Sequence, residues 1–317
     1  MALDLTQAKG VYAIAPTAFH EDGRLDEASN DRYTDFCVES GCTGITVLGV
    51  MGEAPKLDMA ESVSLASRMI KRAGIPVIVG VSAPGFAAMT SLTKAVMDAG
   101  AAGVMIAPPN TLRTDDQIVG YYAQAAEAIG AEVPFVVQDF PQTFSVVMTP
   151  GVIRRIVQAS PNCVMVKHED WPGLEKISAL RGFEADGSMK HISILCGNGG
   201  LFIDFECERG ADGAMTGYAF PDMLSDLVRL QAEGKRDEAH DLFDAHLPLL
   251  RYEQQQGPTG LAVRKYVLMR RGVLASDAQR RPGVGLSARA RAEVDYLLSR
   301  VARLDKRADV GAVSRAA

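Results

Sequence analysis

Eight short apolar runs, each ending in glycine, proline or a polar residue, recur along the chain about every thirty residues. Amphipathic stretches long enough to form helices separate these runs, so the pattern alternates between strand and helix. Eight strand and helix units in this order predict an α/β protein with the (β/α)8 TIM-barrel fold. The predicted strands are Val11–Ala15, Gly44–Leu48, Pro76–Val79, Gly103–Ala107, Pro134–Val137, Cys163–Val166, Ile192–Cys196 and Gly213–Met215.

A doubly wound open sheet is the alternative fold for a chain that alternates strands and helices. Such a sheet usually has fewer strands, and a glycine-rich phosphate-binding fingerprint follows its first strand. Here the first predicted strand is followed by Pro16-Thr17-Ala18-Phe19, which is not such a fingerprint. The sequence therefore favours the barrel.

Helical patterns continue after the eighth unit. We assign residues 1–233 to the barrel and residues 234–317 to a C-terminal helical extension that caps the barrel or forms a subunit contact. Lys306–Ala317 contains mainly charged and small residues without an apolar stripe, and we expect it to be frayed. The helical patterns cover Pro221–Glu233, Arg236–Glu253, Gly260–Arg271 and Ser287–Leu304.

Composition and charge argue against several kinds of partner. The net charge of -6 gives no basic field that would attract a phosphate backbone, so nucleic acid is not expected. The N-terminus lacks a basic segment followed by an apolar one, and no later stretch is apolar enough to span a bilayer. We therefore expect a cytoplasmic protein with no membrane partner. The five cysteines have no paired spacing and are expected to be reduced.

Polar and glycine-rich residues follow several predicted strands, at the end of the barrel where such folds carry their active sites. Strand two is followed by Gly49-Val50-Met51-Gly52-Glu53, strand five by Gln138, and strand seven by Gly197-Asn198-Gly199-Gly200. Glycine-rich turns can direct backbone N–H groups at an anion. We therefore predict that a small 2-keto acid is the ligand and that these turns bind its carboxylate. The predicted substrate-binding residues are Gly49, Val50, Met51, Gly52, Gly197 and Asn198.

Lys167 ends the apolar run of strand six, directly before the polar turn His168–Gly173. Burial disfavours the charged form of an amine, and only a neutral amine attacks a ketone to form an imine. The alternative is a strand-end lysine whose stem packs on the core while its ammonium group reaches water. The surrounding turns favour the first interpretation, with the ketone of the ligand beside Lys167.

The order and spacing of these motifs resemble the dihydrodipicolinate synthase and N-acetylneuraminate lyase family, over roughly residues 10 to 272. Ala15-Pro16-Thr17-Ala18-Phe19 is similar to the opening strand of the family, and Gly49–Glu53 to its G-x-x-G-E loop. Lys167 falls at the position of its Schiff-base lysine. Gly210–Thr216 is similar to the approach to its eighth strand. The resemblance implies an imine-forming enzyme without a cofactor or metal, assembled as a homotetramer.

Several positions depart from the pattern of the family. Gln138 replaces the tyrosine that ends strand five in family aldolases and synthases and transfers protons there. Val50 and Met51 replace the usual hydroxyl pair of the loop, and Pro109 with Asn110 replaces a tyrosine pair. The resemblance thus implies that the usual proton relay is missing. Dihydrodipicolinate synthesis and sialic acid cleavage are therefore not expected.

The resemblance is stronger to the branch that dehydrates 2-keto-3-deoxy sugar acids, 2-keto-3-deoxy-L-arabonate in particular. An imine at the C2 ketone makes the C3 protons acidic, which allows either dehydration or retro-aldol cleavage. The predicted activity is dehydration to 2-oxoglutarate semialdehyde. Two alternatives remain open: an aldolase of a 2-keto-3-deoxy sugar acid that releases pyruvate, and a barrel that binds a keto acid without catalysis.

Glu169 is the leading candidate for proton transfer, because it shares a strand face with Lys167 if the strand continues. A solvated loop glutamate is the equally weighted alternative. We predict that Lys167, Gln138 and Glu169 are the catalytic residues, and that Glu53 supports its loop. Alternation along the strand directs His168 away from Lys167. Because neighbouring side chains in one strand diverge, the His-Glu-Asp triplet is not expected to bind a metal.

Overall fold

The computed structural model describes residues 4–171, 173–255 and 258–311. Within them, eight parallel strands pair in chain order and close a barrel in which β1 pairs with both β2 and β8. The predicted (β/α)8 barrel is confirmed. The strands are β1 Gly10–Ile14, β2 Gly44–Val47, β3 Val77–Gly80, β4 Gly103–Ile106, β5 Phe135–Asp139, β6 Cys163–His168, β7 Ser193–Cys196 and β8 Gly213–Ala214.

Helices follow the strands and cover the outside of the barrel. The short helix α5 follows β5 and comes before α6, and α9 follows β8. The helices of the described residues are α1 Glu27–Glu39, α2 Met59–Ala73, α3 Phe86–Asp98, α4 Asp115–Ile129, α5 Pro141–Phe144, α6 Pro150–Ala159, α7 Leu174–Ala185, α8 Ile203–Glu208, α9 Pro221–Ala232, α10 Arg236–Glu253, α11 Pro258–Arg270 and α12 Ala288–Val301.

Local sequence explains where α2 begins and ends. Asp58 accepts a hydrogen bond from the Glu61 N–H at 2.8 Å, and the Glu61 carboxylate accepts one from the Asp58 N–H at 3.1 Å. These two bonds satisfy N–H groups that no helical carbonyl can reach. Gly74 ends the helix with φ +64°, a conformation that glycine adopts without steric cost.

The apolar core has two layers, one inside the barrel and one between the barrel and its helices. The inner layer includes Tyr12, Ile78, Met105 and Met215, and the N-terminal Leu5 packs with it at one end. Gly103 approaches Leu5 closely, since a Cβ on that glycine would lie 3.0 Å from Leu5 Cδ1. Polar side chains lie inside the barrel at the opposite end, where the strands finish.

Strand β6 extends further than the sequence predicted. It continues through Lys167 and His168, and it pairs with β5 and β7 up to His168. The register of β5 and β6 shifts between Phe135 and Val136. Lys167 therefore lies within the strand, opposite Gln138 and Leu195, and its direction is fixed by pairing on both sides.

The C-terminal extension contains α10, α11 and α12, as the helical patterns predicted. The expectation of fraying from Lys306 onwards is wrong for the residues that the structure describes. Lys306–Ala308 form a short 3-10 helix, and Ala308 is buried against the core. Residues 312–317 lie outside the described residues. Among the described helices, none is long and apolar enough to cross a membrane.

Candidate active site

Lys167 points into the barrel near the carboxyl ends of the strands. Its side chain is 5 % exposed, and its Nζ lies 3.0 Å from Oε2 of Glu169, whose side chain is 6 % exposed. Residues two apart in a strand share a face, and β6 with the residue after it keeps this alternation. The structure therefore brings Lys167 and Glu169 together, and the solvated-loop alternative for Glu169 is wrong.

Glu169 is held on both of its carboxylate oxygens. Nε2 of Gln138 donates to Oε2 at 2.8 Å, and the backbone N–H of Asn198 donates to Oε1 at 3.3 Å. Hydrogen bonds to a buried carboxylate compensate for the water that it loses. Three of the predicted site residues, Lys167, Gln138 and Glu169, thus form one hydrogen-bonded cluster.

The turn after β7 leaves room for Glu169. A Cβ on Gly197 would lie 2.3 Å from Cγ of Glu169, so only glycine fits beside this carboxylate. The next two residues have positive φ, 48° at Asn198 and 72° at Gly199. The sequence predicted that this turn binds an anion, and the anion that its Asn198 N–H meets in the structure is Glu169.

The turn after β2 lies across the mouth from Lys167. Val50–Gly52 form a 3-10 turn, and the first N–H groups of such a turn have no partner within it. A Cβ on Gly49 would lie 3.6 Å from Cε of Met105, in the inner core layer, so this end of the turn faces the interior. The Val50 side chain is 44 % exposed, whereas Met51 packs on the inner layer.

Glu53 supports this turn and does not contact Lys167. Its carboxylate binds the ammonium groups of Lys56 and Lys265 and the backbone N–H of Arg280. Burial lowers the pKa of Lys265, and Glu53 acts in the opposite direction. These bonds join the turn to the C-terminal extension, in agreement with the structural role predicted for Glu53.

The outer side of β6 carries a second polar group. His168 is fully buried there, and its Nδ1 lies 3.7 Å from Oδ2 of Asp139. Lys176 of α7 binds both Asp139 and Asp170, at 2.8 and 2.6 Å. His168, Glu169 and Asp170 therefore diverge as alternation predicted. Within the described ranges, no group of three or more His, Cys, Asp or Glu residues could hold a metal ion.

Trp171 lies at the rim, where its ring contacts Phe202 edge to face at 5.2 Å. It remains 47 % exposed. Side chains just past the strand ends have few neighbours on the solvent side, which explains this exposure.

The extension adds polar residues that the sequence analysis missed. Gln254 Nε2 donates to Asn198 Oδ1 at 3.1 Å, and Arg264 of α11 donates to Gln254 Oε1 at 3.4 Å. Arg264 also binds the buried Glu253. One signal was available, since Arg264 and Lys265 interrupt an otherwise apolar helix and charged residues are rarely fully buried unless paired.

The chemistry available at this site follows from the pair of Lys167 and Glu169. A primary amine beside a carboxylate can form an imine with a ketone while the carboxylate accepts and returns protons. Gln138 supplies an amide, which donates and accepts hydrogen bonds but does not exchange protons near neutral pH. Among the described residues, Glu169 is the one side chain recorded in ion-pair contact with Lys167.

Comparison with known proteins identifies relatives across almost the whole chain. A model of the Dihydrodipicolinate synthetase family matches residues 7–301. An L-2-keto-3-deoxyarabonate dehydratase of Azospirillum brasilense is 30% identical over 307 residues, covering 94% of this chain and 94% of that protein. A 4-hydroxy-tetrahydrodipicolinate synthase of Chlorobium luteolum is 28% identical over 295 residues, covering 91% and 96%.

Solved structures agree with this relationship. A crystal structure described as dihydrodipicolinate synthase from Rhodopseudomonas palustris is 68% identical, with a TM-score of 0.92, and covers 93% of this chain and 98% of that one. A dihydrodipicolinate synthetase described as putative, from Pseudomonas aeruginosa, has a TM-score of 0.83 at 24% identity, a similarity that concerns the fold alone.

Proposed function

The chain belongs to the dihydrodipicolinate synthetase family, and we propose that it is a lyase that dehydrates a 2-keto-3-deoxy sugar acid. The proposed substrate is 2-keto-3-deoxy-L-arabonate, and the products are 2-oxoglutarate semialdehyde and water. The dehydratase of Azospirillum brasilense supports this substrate. The observation that carries the proposal is the buried contact between Lys167 and Glu169, with the amide of Gln138 bound to the same carboxylate.

Catalysis begins when Nζ of Lys167 attacks the C2 ketone. The ketone oxygen leaves as water, and an imine forms between Nζ and C2. Lys167 gives up two protons of its ammonium group in this step. Oε2 of Glu169, 3.0 Å away, takes each in turn and passes it to the departing oxygen, which completes the water and leaves the imine protonated as an iminium. The N–H groups of Val50 and Met51, at the start of the turn after β2, bind the C1 carboxylate. Those of Gly52, Gly197 and Asn198 already have partners within the protein.

Dehydration follows from the electron-withdrawing iminium. Loss of a C3 proton to Glu169 gives an enamine, which expels the C4 hydroxyl as water when a proton reaches that oxygen. The new double bond joins C3 and C4. A proton then leaves C5 and another joins C3, which gives an enol with its double bond between C4 and C5. The enol loses its hydroxyl proton and C4 gains one, which makes C5 an aldehyde. Hydrolysis of the imine consumes the water released on its formation, so one water is lost overall and no oxidant is required.

Gln138 favours this route over synthase chemistry. It occupies the position where the resemblance implies a proton-transferring tyrosine, and its amide orients Glu169 instead. The description of the Rhodopseudomonas palustris structure makes a synthase the second candidate, because that chain is 68% identical to this one. A synthase at this site requires a proton donor other than tyrosine, so formation of 4-hydroxy-tetrahydrodipicolinate is expected to be absent.

Analysis of the products tests the proposed function. Purified protein is incubated with 2-keto-3-deoxy-L-arabonate, and 2-oxoglutarate semialdehyde and pyruvate are measured in the same sample by coupled dehydrogenases. We expect the semialdehyde to equal the substrate consumed, with no pyruvate. Stoichiometric pyruvate would identify an aldolase in which Glu169 removes the C4 hydroxyl proton. Tight binding without either product would identify a barrel that binds keto acids without catalysis.

The proposed setting is pentose catabolism in the cytoplasm, with a homotetramer as the assembly. The C-terminal extension exposes Tyr296 and Leu304, at 58 % and 75 %, as apolar side chains that a subunit contact would cover. Light scattering of the purified protein is expected to give the mass of four chains. The mass of a single chain would contradict the tetramer and leave the proposed reaction unaffected.

A further inference from the structure

Arg264 is a buried cation of the C-terminal extension whose role is not explained by its ion pair alone. Its side chain is 3 % exposed, and its Nε binds Oε1 of Glu253 at 2.5 Å. Glu253 also accepts the backbone N–H of Ala219, after β8, at 3.1 Å. These contacts fix the plane of the guanidinium group. Of the three guanidinium nitrogens, Nε has a short bond, whereas the hydrogen bond from Nη2 to Gln254 Oε1 is long at 3.4 Å.

The remaining nitrogen, Nη1, is buried and has no hydrogen-bond partner in the part of the chain that the structure describes. A Cβ on Gly217 would lie 2.7 Å from this nitrogen and 2.9 Å from Sδ of Met51. Gly217 follows Met215 of the inner core layer by two residues, and Met51 packs on that layer. Nη1 therefore lies beside Gly217 and near Met51, in the space that glycine leaves next to the inner core layer. A buried unpaired donor is costly unless a ligand satisfies it.

Arg264 is also connected to the catalytic cluster by hydrogen bonds. Gln254 accepts from Arg264 and donates to Asn198, and the backbone of Asn198 donates to Glu169. The guanidinium group is thus linked to Glu169 through Gln254 and Asn198, on the side of the cluster that the extension covers. A substrate held by an imine at C2 would extend its far end towards one of these walls.

We infer that Nη1 of Arg264 binds the terminal hydroxyl of the substrate, at the end remote from the keto acid. This inference rests on the proposed function for the identity of the substrate. It assigns the enzyme to keto acids that end in an alcohol and not to those that end in a carboxylate. Arg264 would act as a specificity residue and take no part in proton transfer.

The charges around Arg264 favour an alcohol over a carboxylate as the group that it binds. The single charge of Arg264 is already matched by Glu253, so a second carboxylate beside it would have no counter-charge of its own. Burial raises the pKa of the Glu253 carboxyl above its ordinary value even with the guanidinium group beside it. The surroundings therefore disfavour further negative charge, while a neutral hydroxyl satisfies the free N–H without adding any.

The test measures imine formation with three five-carbon acids that lack a C4 hydroxyl and cannot be dehydrated. The acids are 5-hydroxy-2-oxopentanoate, 2-oxopentanoate and 2-oxoglutarate, and borohydride traps their imines for mass measurement. We expect the hydroxy acid to be trapped at a concentration about 10-fold to 100-fold lower than 2-oxopentanoate, as befits one hydrogen bond from a charged donor. Equal trapping of these two acids, or preferential trapping of 2-oxoglutarate, would overturn the inference without any variant.

Arg264→Lys tests whether Arg264 is the residue responsible for the preference for the hydroxy acid. Lysine can keep the ion pair with Glu253, but it lacks the second arm of the guanidinium group. We expect it to remove the preference for the hydroxy acid over 2-oxopentanoate. Arg270→Lys is the matched control, because Arg270 belongs to the same helix but pairs with Asp295 of α12. A preference that persists in Arg264→Lys would reject the assignment.

These outcomes are separable from those of the proposed function. A protein that prefers the hydroxy acid but does not dehydrate 2-keto-3-deoxy-L-arabonate would refute the dehydratase and retain the role of Arg264. A protein that dehydrates 2-keto-3-deoxy-L-arabonate but does not prefer the hydroxy acid would support the dehydratase and refute the role of Arg264.

Discussion

Lys167→Ala is expected to abolish both imine trapping and dehydration, with turnover at least about 10³-fold below that of the wild type. The amine is the group that forms the covalent bond to C2, and alanine offers nothing in its place. The other buried lysines face elsewhere: Lys176 binds Asp139 on the outer side of the barrel, and Lys265 binds Glu53. Intact mass after borohydride reduction with pyruvate, together with the product assay, measures both losses.

Lys176→Gln is the matched control for this variant, because glutamine can still donate a hydrogen bond to Asp139. We expect its trapped mass to equal that of the wild type. Turnover of Lys167→Ala within about tenfold of the wild type would contradict the imine mechanism, since no step of it proceeds without the amine.

Glu169→Gln is expected to lower dehydration by about 10²-fold to 10⁴-fold, the usual contribution of a positioned acid or base. Glutamine has the same shape and can still accept the hydrogen bond from Gln138, but it cannot exchange protons with C3 or with the C4 hydroxyl. Imine formation with pyruvate should be slower but still trapped, because Lys167 remains and water can carry its protons in place of Glu169. The ratio of trapping to turnover therefore distinguishes loss of proton transfer from loss of the fold.

Asp170→Asn is the matched control for Glu169→Gln. Asp170 is the adjacent carboxylate, and it binds Lys176 and not Lys167. We expect turnover of this variant close to that of the wild type. Unchanged turnover in Glu169→Gln would reassign Glu169 to a structural role in holding the turn at Asn198.

The sequence predicted the barrel because each strand and helix has its own local signal. Buried parallel strands consist of nearly continuous apolar residues, and amphipathic helices follow them with a different period. Boundaries were less predictable. Strand β6 was expected to end before Lys167, yet it continues to His168, because pairing with β5 and β7 overrides the polar character of these two residues.

The catalytic cluster was predictable where strand alternation decides the direction of a side chain. Lys167 and Glu169 share a face, and His168 lies on the other one, as the spacing indicated. Gln254 and Arg264 were not predictable in this way. They lie about 60 to 100 residues further along the chain, and the packing of the extension on the barrel, for which no local pattern exists, brings them to Asn198.

Two glycines also show what could not be predicted from the sequence alone. Gly197 and Gly217 were visible in the sequence, and glycine-rich turns suggested anion binding. The structure gives each a steric reason, since a Cβ would collide with Glu169 in the first case and with Arg264 in the second. A sequence shows that a small residue is present but not which side chain occupies the space beside it.

The central claim is that Lys167 forms an imine from which water, and not a carbon fragment, is lost. Intact mass after borohydride reduction of protein that has turned over 2-keto-3-deoxy-L-arabonate tests it most directly. We predict a five-carbon adduct on Lys167 that has lost one water. A three-carbon adduct, as left by carbon-carbon cleavage, or an unmodified chain would contradict it.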